Sequence, residues 1–330
     1  MKKLFVTLFA AMSMLMSCKT EKTPQNIVCA YVAQGMPEEV SAEYVNRIIY
    51  SSAYIDSTLS EVKVPDPERL EKVLALRKTK PGLEVMVSLG GNSSDVSLAV
   101  RDDSLRALVV ASFKRMVDDY NLDGIDIDWE FPGRGEHALS TEEDVANYVR
   151  LLADLREALG NDKILTVACA GSLYGVDLEA MTPIIDQYNL MTYDMGTAPS
   201  HHTALYDSEK VAWLSCDKSV RNFIEGGVDP SKLVLGLAFY GRGRAPYGEF
   251  VDWRHFVMGE GLTERYDSVA QVPWIADGEG NQVLGYDNPE SLRAKCSYAR
   301  DKGLAGVMYW RMELDDSVRT LGRTVAEAMK

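Results

Sequence analysis

Short apolar runs with the length of β-strands recur eight times along this chain and alternate with amphipathic helical patterns. The strand-like runs cover residues 27–32, 47–54, 84–89, 124–130, 164–170, 190–193, 233–239 and 306–310. Because no Pro- or Gly-rich boundary interrupts the alternation, the pattern favours an α/β fold of one domain, a single (β/α)8 barrel, over a doubly wound sheet or two domains. The short span of residues 240–286 predicts a small insertion between the seventh strand and the last helices.

Three stretches carry clear helix signals. The first places apolar residues on one face with the small Ser112 as its only polar member: Leu105, Leu108, Val109, Phe113, Met116, Val117 and Tyr120. The second opens at Ser140 with Glu143 three residues later, which predicts a capping box. In the third, Asn288 before Pro289 predicts an N-cap and a first helical residue, and the helix should end before Gly303.

The pattern of the N-terminal residues is typical of a targeting segment. Residues 1–17 combine two lysines with a mainly apolar run that is too short to anchor stably across a bilayer, which predicts a signal peptide. The segment ends Leu-Met-Ser-Cys and resembles a bacterial lipobox, in which Cys18 is acylated and becomes the new N-terminus. The alternative is ordinary signal cleavage beside a chance cysteine. The predicted division is a lipoprotein signal peptide at 1–17, a polar tether at 18–26 and the barrel at 27–330, lipid-anchored to the cell envelope at its periplasmic face or surface.

Net charge, cysteine spacing and histidine spacing limit which ligands and which kinds of site this protein can have. The formal charge of −14 falls to −16 when residues 1–17 are removed, because their only charges are the two lysines. Such an acidic surface disfavours nucleic acid and favours a neutral substrate. Besides Cys18 the cysteines are widely spaced, and Cys29 and Cys169 lie in apolar runs, so we expect buried free thiols. The only histidine pair, His201-His202, has no third ligand at metal spacing, and we interpret it as a loop feature that lines the cleft after the sixth strand.

Acidic residues alternate with apolar ones in the fourth strand-like run. In an extended strand Asp126, Asp128 and Glu130 stand in one row. The intervening residues, which cover the other face, are all apolar: Ile125, Ile127 and Trp129. Carboxylates this close should not all ionise at neutral pH, so at least one should have a raised pKa, which suits a general acid. The alternatives are a solvated strand edge, which the apolar face disfavours, and a calcium or magnesium site, for which no nearby loop supplies the further oxygen ligands.

Further candidate site residues lie at the carboxyl ends of other strands, where (β/α)8 barrels place their chemistry. They are Tyr31, Ser88, Gly90, Gly91, Met191, Tyr193, Asp194, Tyr240, Arg242 and Trp310. Aromatic residues at strand ends are often core residues, so for each of them that alternative stays open. Asp123 is out of phase with the acidic row and is expected to be structural, as a turn or cap residue.

Several of these residues belong to motifs that resemble one family. Residues 123–130 read D-G-x-D-x-D-W-E and resemble the catalytic signature of family 18 glycoside hydrolases, the chitinases and endo-β-N-acetylglucosaminidases. Residues 88–91, 191–194 and 240–242 are similar to the S-x-G-G, M-x-Y-D and Y-G-R motifs of that family, and the chain from Tyr266 to Trp310 resembles its C-terminal third. Two positions depart from it: the second strand has Ser51-Ser52 where a bulky aromatic is usual, and Arg311 stands where an acid is usual.

The resemblance implies a retaining, substrate-assisted hydrolysis of β-1,4-linked N-acetylglucosamine oligosaccharides or chitin. Glu130 would protonate the glycosidic oxygen, and the N-acetyl carbonyl of the substrate would attack the anomeric carbon. Asp128 would accept the acetamide N–H and stabilise the oxazolinium cation, and Asp126 would share a proton with Asp128.

Tyr193 would hydrogen-bond the acetamide oxygen with support from Asp194, and Trp310 would form the floor beneath the sugar. Candidate platforms for outer sugars, each with a structural alternative, are Phe131, Trp253 and Trp274. No cofactor or metal is implied, and we expect a monomer whose partner is a saccharide containing N-acetylglucosamine.

Other functions remain open at this point. The same chemistry could act on the chitobiose core of N-glycans or on peptidoglycan-derived sugars, although Trp129 and the motifs from Asp267 onward resemble the chitinase branch more closely. A non-catalytic glycan-binding lipoprotein could use the same barrel, but Glu130 and its acidic neighbours are all present. An interaction scaffold would leave the carboxylate row unexplained.

Overall fold

The computed structural model describes residues 26–33, 40–90, 93–133 and 141–330. Several predictions lie outside these ranges: the signal peptide, the lipidated Cys18, the tether up to residue 25, and the positions of Gly91, His137 and Ser140.

The described residues form fourteen strands and eight α-helices. The strands are β1 (Ile27–Ala33), β2 (Arg47–Ile55), β3 (Val62–Lys63), β4 (Glu84–Leu89), β5 (Gly124–Ile127), β6 (Ile164–Ala170), β7 (Gln187–Met191), β8 (Leu233–Ala238), β9 (Tyr240–Gly243), β10 (Val251–Asp252), β11 (Thr263–Asp267), β12 (Val272–Ala276), β13 (Gln282–Gly285) and β14 (Gly306–Trp310). The helices are α1 (Pro67–Ala75), α2 (Ser93–Arg101), α3 (Asp103–Asp119), α4 (Asp144–Leu159), α5 (Leu178–Met181), α6 (Cys216–Glu225), α7 (Pro289–Asp301) and α8 (Thr320–Ala328).

Eight parallel strands close into a barrel, as the sequence predicts. The order around the barrel is β1, β2, β4, β5, β6, β7, β8 and β14, and β1 closes it by pairing with both β2 and β14. The strands are buried on both faces, which explains why they read as continuous apolar runs. The connection between β1 and β2 differs from the predicted alternation, because its described part, residues 40–46, contains turns and no helix.

Two barrel strands differ from their predicted bounds by more than one residue. The fourth barrel strand, β5, ends at Ile127, so Glu130 lies beyond the strand and does not close it. Although the apolar alternation continues to Trp129, backbone pairing does not; the last bond toward β4 runs from Asp128 N–H to the Leu89 carbonyl at 2.8 Å. The sixth barrel strand, β7, begins at Gln187, three residues before its predicted start, because the polar Gln187 and Asn189 interrupt the apolar run on which the prediction depended.

The helix predictions are confirmed in part. On α3 the predicted face is buried at Val109, Phe113 and Met116, but Leu108 is 50% exposed. The helix expected from Ser140 begins at Asp144, and the N-cap Glu143 makes no side-chain capping bond. The helix therefore starts later than predicted, and the capping contacts expected of Ser140 lie outside the described residues.

The predicted start of α7 is correct. The Asn288 side chain accepts from the N–H groups of Glu290 and Ser291, and Pro289 is the first helical residue. Ser291 Oγ in turn accepts from the Asn288 N–H at 3.0 Å, which completes a capping box. The helix ends at Asp301, before Gly303, as expected.

The insertion between β8 and α7 is a small sheet of its own. Its five antiparallel strands lie in the order β10, β9, β13, β12 and β11. A separate cluster of buried side chains holds it together: Ile275, Val283, Leu284 and Tyr286. The insertion thus adds a folded wall beside the carboxyl end of β8.

A buried ion pair fastens α7 to this region. Lys295 is fully buried, and its Nζ lies 2.7 Å from each carboxylate oxygen of Asp287 and 2.7 Å from Thr203 Oγ1. The Thr203 hydroxyl is also 3.0 Å from the Thr192 carbonyl, directly after β7. The pair therefore connects the last helices to the loop that follows the sixth barrel strand.

The remaining expectations concern cysteines, metals and membranes. The four described cysteines, Cys29, Cys169, Cys216 and Cys296, are buried free thiols, as expected. No cluster of three or more His, Cys, Asp or Glu suited to a metal occurs within the described ranges. Over the same part of the chain, every helix is too short or too polar to cross a membrane.

Candidate active site

A cavity of about 440 Å³ lies at the carboxyl end of the barrel and collects most of the predicted site residues. Those that line it are Tyr31, Asp128, Glu130, Met191, Tyr193, Asp194, Tyr240, Arg242 and Trp310. Three other predicted residues, Ser88, Gly90 and Asp126, do not line it. Asp126 hydrogen-bonds the lining residue Tyr31, Ser88 hydrogen-bonds Asp126, and Gly90 lies beside Ser52 and Asp128.

Asp126 anchors the floor of the site. Its carboxylate is fully buried and accepts four hydrogen bonds, from Tyr31 (2.9 Å), Ser88 (2.9 Å), Thr166 (2.6 Å) and Asn189 (3.0 Å). Burial raises the pKa of Asp126, and these four donors work against that rise by stabilising the charged form. Because the donors occupy both oxygens, sharing a proton with a neighbour would require Asp126 to give up one of them.

Asp128 is the carboxylate of the row that has a buried oxygen without a hydrogen-bond donor. Its Oδ1 atom is buried and has no hydrogen-bond partner in the structure. Burial raises the pKa of Asp128 well above its usual value, and the charges of Glu130 and Asp126 add to the rise. An unpaired buried acceptor costs free energy unless a ligand supplies the missing donor, so this atom is suited to receive an N–H from a bound molecule.

The third carboxylate, Glu130, lies at the mouth of the cavity. Burial falls along the row, since Asp126 is fully buried, Asp128 is partly exposed and Glu130 is exposed. The structure therefore places Glu130 where a bound molecule can reach its carboxyl group while Asp126 stays out of reach.

Tyrosines surround the row as neutral hydrogen-bond donors. Burial raises the pKa of Tyr193 well above its usual value, and the charges of Asp128 and Glu130 raise it further. The Tyr193 hydroxyl lies 3.9 Å from the Met308 sulfur, a weak contact that leaves it available to a ligand. Tyr31, whose pKa is raised by burial and by Asp126, donates instead to the carboxylate floor.

An ion pair forms one side of the cavity. Arg242 contacts Asp194 with two bonds, Nε to Oδ1 at 2.6 Å and Nη2 to Oδ2 at 2.8 Å. Burial alone would raise the pKa of Asp194, but the hydrogen bonds and charge of Arg242, together with the neighbouring His202, outweigh it and lower the pKa below its usual value. The guanidinium also lies 5.5 Å from the ring centres of Tyr240 and Phe250, which are stacked 4.4 Å apart.

The histidine pair does not line the cavity, contrary to the sequence-based expectation. His201 is 1% exposed and His202 is fully buried. The Asp194 N–H donates to His202 Nδ1 at 3.1 Å, and His202 Nε2 lies 3.3 Å from the Tyr240 carbonyl. His202 therefore positions the loop after β7 from behind the cavity wall.

Trp310 borders the cavity at the end of β14. Its ring centre lies 5.7 Å from that of Tyr31 at an angle of 48°, and Trp310 keeps one part of its surface exposed. Gly90 contributes space, because a Cβ there would come within 2.9 Å of Ser52 Cβ. Ser52 of β2 thus packs against this glycine.

Of the three predicted outer platforms only Phe131 lines the cavity. Trp253 packs with Phe256 and Tyr286 in the insertion, and its indole N–H donates to Asp316 at 3.3 Å. Trp274 is 6% exposed and lies under the cation of Lys210. Both tryptophans are therefore structural, since Trp253 packs partly buried among aromatic rings of the insertion and Trp274 is buried.

Several residues of the site carry no motif. Tyr174, Trp213 and Phe250 line the cavity and are 44%, 52% and 41% exposed. Each comes from a loop or from the insertion, where apolar periodicity does not operate. Thr166 and Asn189 were missed because a polar residue inside a strand has no local signal of its barrel-facing role. Asp123 is structural as predicted, since its carboxylate accepts from the Val85 N–H at 2.7 Å.

The sequence of this chain matches a known protein family. The model of Glycosyl hydrolases family 18 matches residues 20–315. Chitinase A1 of Niallia circulans is 29% identical over 305 residues, covering 76% of this chain and 43% of that protein. The chain spans about half the length of the first curated relatives that it matches.

Solved structures agree with the fold. A family 18 N-acetylglucosaminidase from Paenibacillus barengoltzii is 27% identical with a TM-score of 0.81, covering 92% of this chain and 100% of that one. A chitinase from Rhizomucor miehei is 25% identical with a TM-score of 0.80 and the same coverage. Because the family model covers most of the sequence and these structures share the barrel, the chain belongs to glycosyl hydrolases family 18.

Proposed function

We propose that this protein hydrolyses β-1,4-linked N-acetylglucosamine oligosaccharides of the chitin type, with retention and with the substrate's acetamide as nucleophile. The observation that carries the proposal is the unpartnered, buried Oδ1 of Asp128 between the anchored Asp126 and the accessible Glu130. This arrangement offers an acid for the glycosidic oxygen and an acceptor for an acetamide N–H.

The first step uses Glu130 as a general acid. Its proton passes to the glycosidic oxygen as the bond to the anomeric carbon breaks, and the acetamide carbonyl oxygen attacks that carbon. The leaving sugar departs with the proton. Asp128 accepts the acetamide N–H, and its charged form stabilises the positive oxazolinium, while the Tyr193 hydroxyl donates to the acetamide oxygen and orients it.

The second step returns the enzyme to its starting state. Glu130, now a carboxylate, takes a proton from water as the water oxygen attacks the anomeric carbon and the oxazoline ring opens. Two inversions at the same carbon give a product of the original configuration. The exposed position of Glu130 suits both steps, since both the leaving sugar and the water must reach it.

The names of the relatives support the substrate class. Matching proteins are named Chitinase A1 and Endochitinase, and one solved relative is named an N-acetylglucosaminidase. The same chemistry on N-glycan cores or peptidoglycan-derived sugars is the alternative substrate choice. A non-catalytic glycan-binding protein is the alternative of another class, and the intact carboxylate row speaks against it.

Product analysis tests these possibilities directly. Purified protein is incubated separately with N-acetylated chitin oligomers, an N-glycoprotein and peptidoglycan fragments, with Glu130→Gln as the control for contaminating activity. We expect cleavage of the chitin oligomers with initial products in the β-configuration, as seen by NMR. Cleavage of the N-glycoprotein alone would show that the substrate is the N-glycan core and not chitin. Binding without cleavage of any substrate would favour the non-catalytic alternative.

We also propose that Cys18 is acylated and holds the protein at the cell envelope. The lipobox-like end of residues 1–17 and the polar residues after Cys18 support this proposal. A protein tethered in this way would meet its saccharide outside the cytoplasm.

A further inference from the structure

A second groove of about 850 Å³ adjoins the active-site cavity. The two spaces share three lining residues, Asp194, Trp213 and Arg242. The space available to a ligand therefore continues past the Asp194–Arg242 pair, away from the carboxylate row. A ligand longer than the cavity would follow this route.

Trp213 stands at the junction with its ring uncovered. The side chain is 52% exposed, although the preceding loop and α6 hold its backbone in place. Lys218 Nζ donates to the Trp213 carbonyl at 2.9 Å, and the neighbouring Ser215 caps α6 by accepting from the Lys218 N–H at 3.3 Å. The adjacent Leu214 is 3% exposed and anchors the segment in the core. A large aromatic ring on a fixed backbone is suited to contact a flat apolar surface with little loss of entropy.

Charges in the groove indicate what kind of ligand fits. Asp194 and Glu249 are balanced by Arg242 and Arg244 among the lining residues. With two acids and two bases the groove has no net charge, in contrast to the formal charge of −14 for the whole chain. An uncharged ligand with many hydroxyl groups meets both hydrogen-bond donors and acceptors there, whereas an anion or a cation gains no net attraction.

We propose that Trp213 is the stacking platform for a sugar ring bound in the groove, so that the preferred substrate is an oligosaccharide that occupies the cavity and the groove together. The inference rests on the proposed function and adds the binding position and the length of substrate. Trp310 would contact the ring inside the cavity and Trp213 a ring beyond the Asp194–Arg242 pair. Trp213 lies in the loop before α6, outside the motifs that resemble the family.

The test compares a long and a short substrate on the full mature protein. The long substrate is the N-acetylglucosamine hexasaccharide, and the short one is a chromogenic glycoside of the disaccharide, which cannot fill both spaces. We expect Trp213→Ala to lower kcat/KM for the hexasaccharide about tenfold more than for the short glycoside, chiefly through KM; tenfold corresponds to about 1.4 kcal/mol. Trp213→Phe, which keeps an aromatic face, should retain most of the wild-type ratio.

Tyr206→Ala is the matched control, because Tyr206 is a 38% exposed aromatic residue outside both spaces. It should leave the ratio of the two kcat/KM values at the wild-type level. Equal losses on both substrates, or no loss on either, in a Trp213→Ala protein with the wild-type melting temperature would overturn the inference. Should that variant not fold, Trp213→Phe and Trp213→Gln decide the question by whether only the aromatic replacement keeps the ratio. If the wild-type protein cleaves neither substrate, the proposed function itself is wrong.

Discussion

Three carboxylates placed two residues apart meet three different environments in this barrel. Asp126 is surrounded by four donors, Asp128 has a buried oxygen without a partner, and Glu130 is exposed at the cavity mouth. The surroundings, rather than the residue type, therefore separate an anchor, a buried acceptor and the proposed proton donor. Two predictions follow from the environments of single residues.

Glu130→Gln should keep the fold and sugar binding but lower kcat by about a hundredfold or more, because it removes the proton donor with almost no change in shape. The measurement is turnover of an N-acetylated aryl glycoside with a poor leaving group, together with a binding titration on a chitin oligomer. Turnover close to that of the wild type would show that another group is the acid.

Asp128→Asn should weaken an oxazoline-like inhibitor far more than it weakens the parent disaccharide, because only the charged intermediate needs the carboxylate. Dissociation constants of both ligands measured on wild type and variant give the comparison. A plain β-1,4-glucan oligomer, which lacks the acetamide, serves as the substrate control and should not be cleaved at a useful rate. Equal weakening of both ligands, or efficient cleavage of the glucan, would contradict substrate assistance.

At the scale of elements, polar contacts in the cavity wall and behind it join the ends of neighbouring strands. Arg242, on β9, forms a bidentate pair with Asp194, which follows β7, and the ring of His202 lies between Asp194 and the Tyr240 carbonyl. Lys295 and Asp287 make a second, deeper connection from α7. The two pairs differ in exposure, and we therefore expect different effects on stability.

The Asp194–Arg242 pair should make stability depend on pH in acid. Since the pKa of Asp194 is lowered in the folded protein, its contribution is fully present above the unfolded value of about 4 and is lost as pH falls through the folded pKa. Asp194→Asn should cost about 1 kcal/mol or less, because both side chains are partly exposed. Urea unfolding of both proteins between pH 3 and pH 7, roughly spanning the unfolded pKa, measures the difference. A difference that grew toward acid pH would contradict the sign.

The Lys295–Asp287 pair is fully buried, so removing one partner should be costly. Lys295→Met leaves the Asp287 carboxylate buried without its cation, and we expect a loss of about 3–5 kcal/mol in the free energy of unfolding. The double variant Lys295→Met with Asp287→Asn should lose less than the single one, because no charge is left uncompensated. Denaturant unfolding of the three proteins checks this, and a single-variant loss under about 1 kcal/mol would refute it.

At the scale of the whole molecule, the barrel presents one open end that carries the cavity, the groove and the folded insertion. The resemblance of residues 15–18 to a lipobox predicts that this barrel hangs from a membrane by lipid and a short tether. The open end would then face saccharides at the envelope.

Cys18→Ser should give an unprocessed or soluble protein, because the acyl chains supply the membrane affinity. Fractionation of cells that produce the wild type and the variant, with metabolic labelling by a fatty-acid analogue, makes the comparison. A variant that is processed and still sediments with membranes at the wild-type level would exclude lipidation as the anchor.

Structural features whose physical signal lies within a few residues could be predicted from the sequence. Strands buried on both faces read as apolar runs, Asn288-Pro289 predicts a capped helix start, and alternation in residues 124–130 places three acids in one row. These features depend on neighbours within a few residues, so the sequence alone determined the barrel, the identity of the carboxylate row and about half of the residues that line the cavity.

Only the tertiary structure showed the positions of site residues that depend on strand register and on loop paths. Thr166 and Ser88 reach Asp126 because the register of β6 and β4 places each of them beside it, and Asn189 arrives from β7, 63 residues away in the chain. The position of Trp213 in the cleft and the burial of the histidine pair also depend on the tertiary structure, because long-range packing determines the paths of the loops. Contacts between residues so distant along the chain leave no periodic signal, and only the closed barrel brings them together.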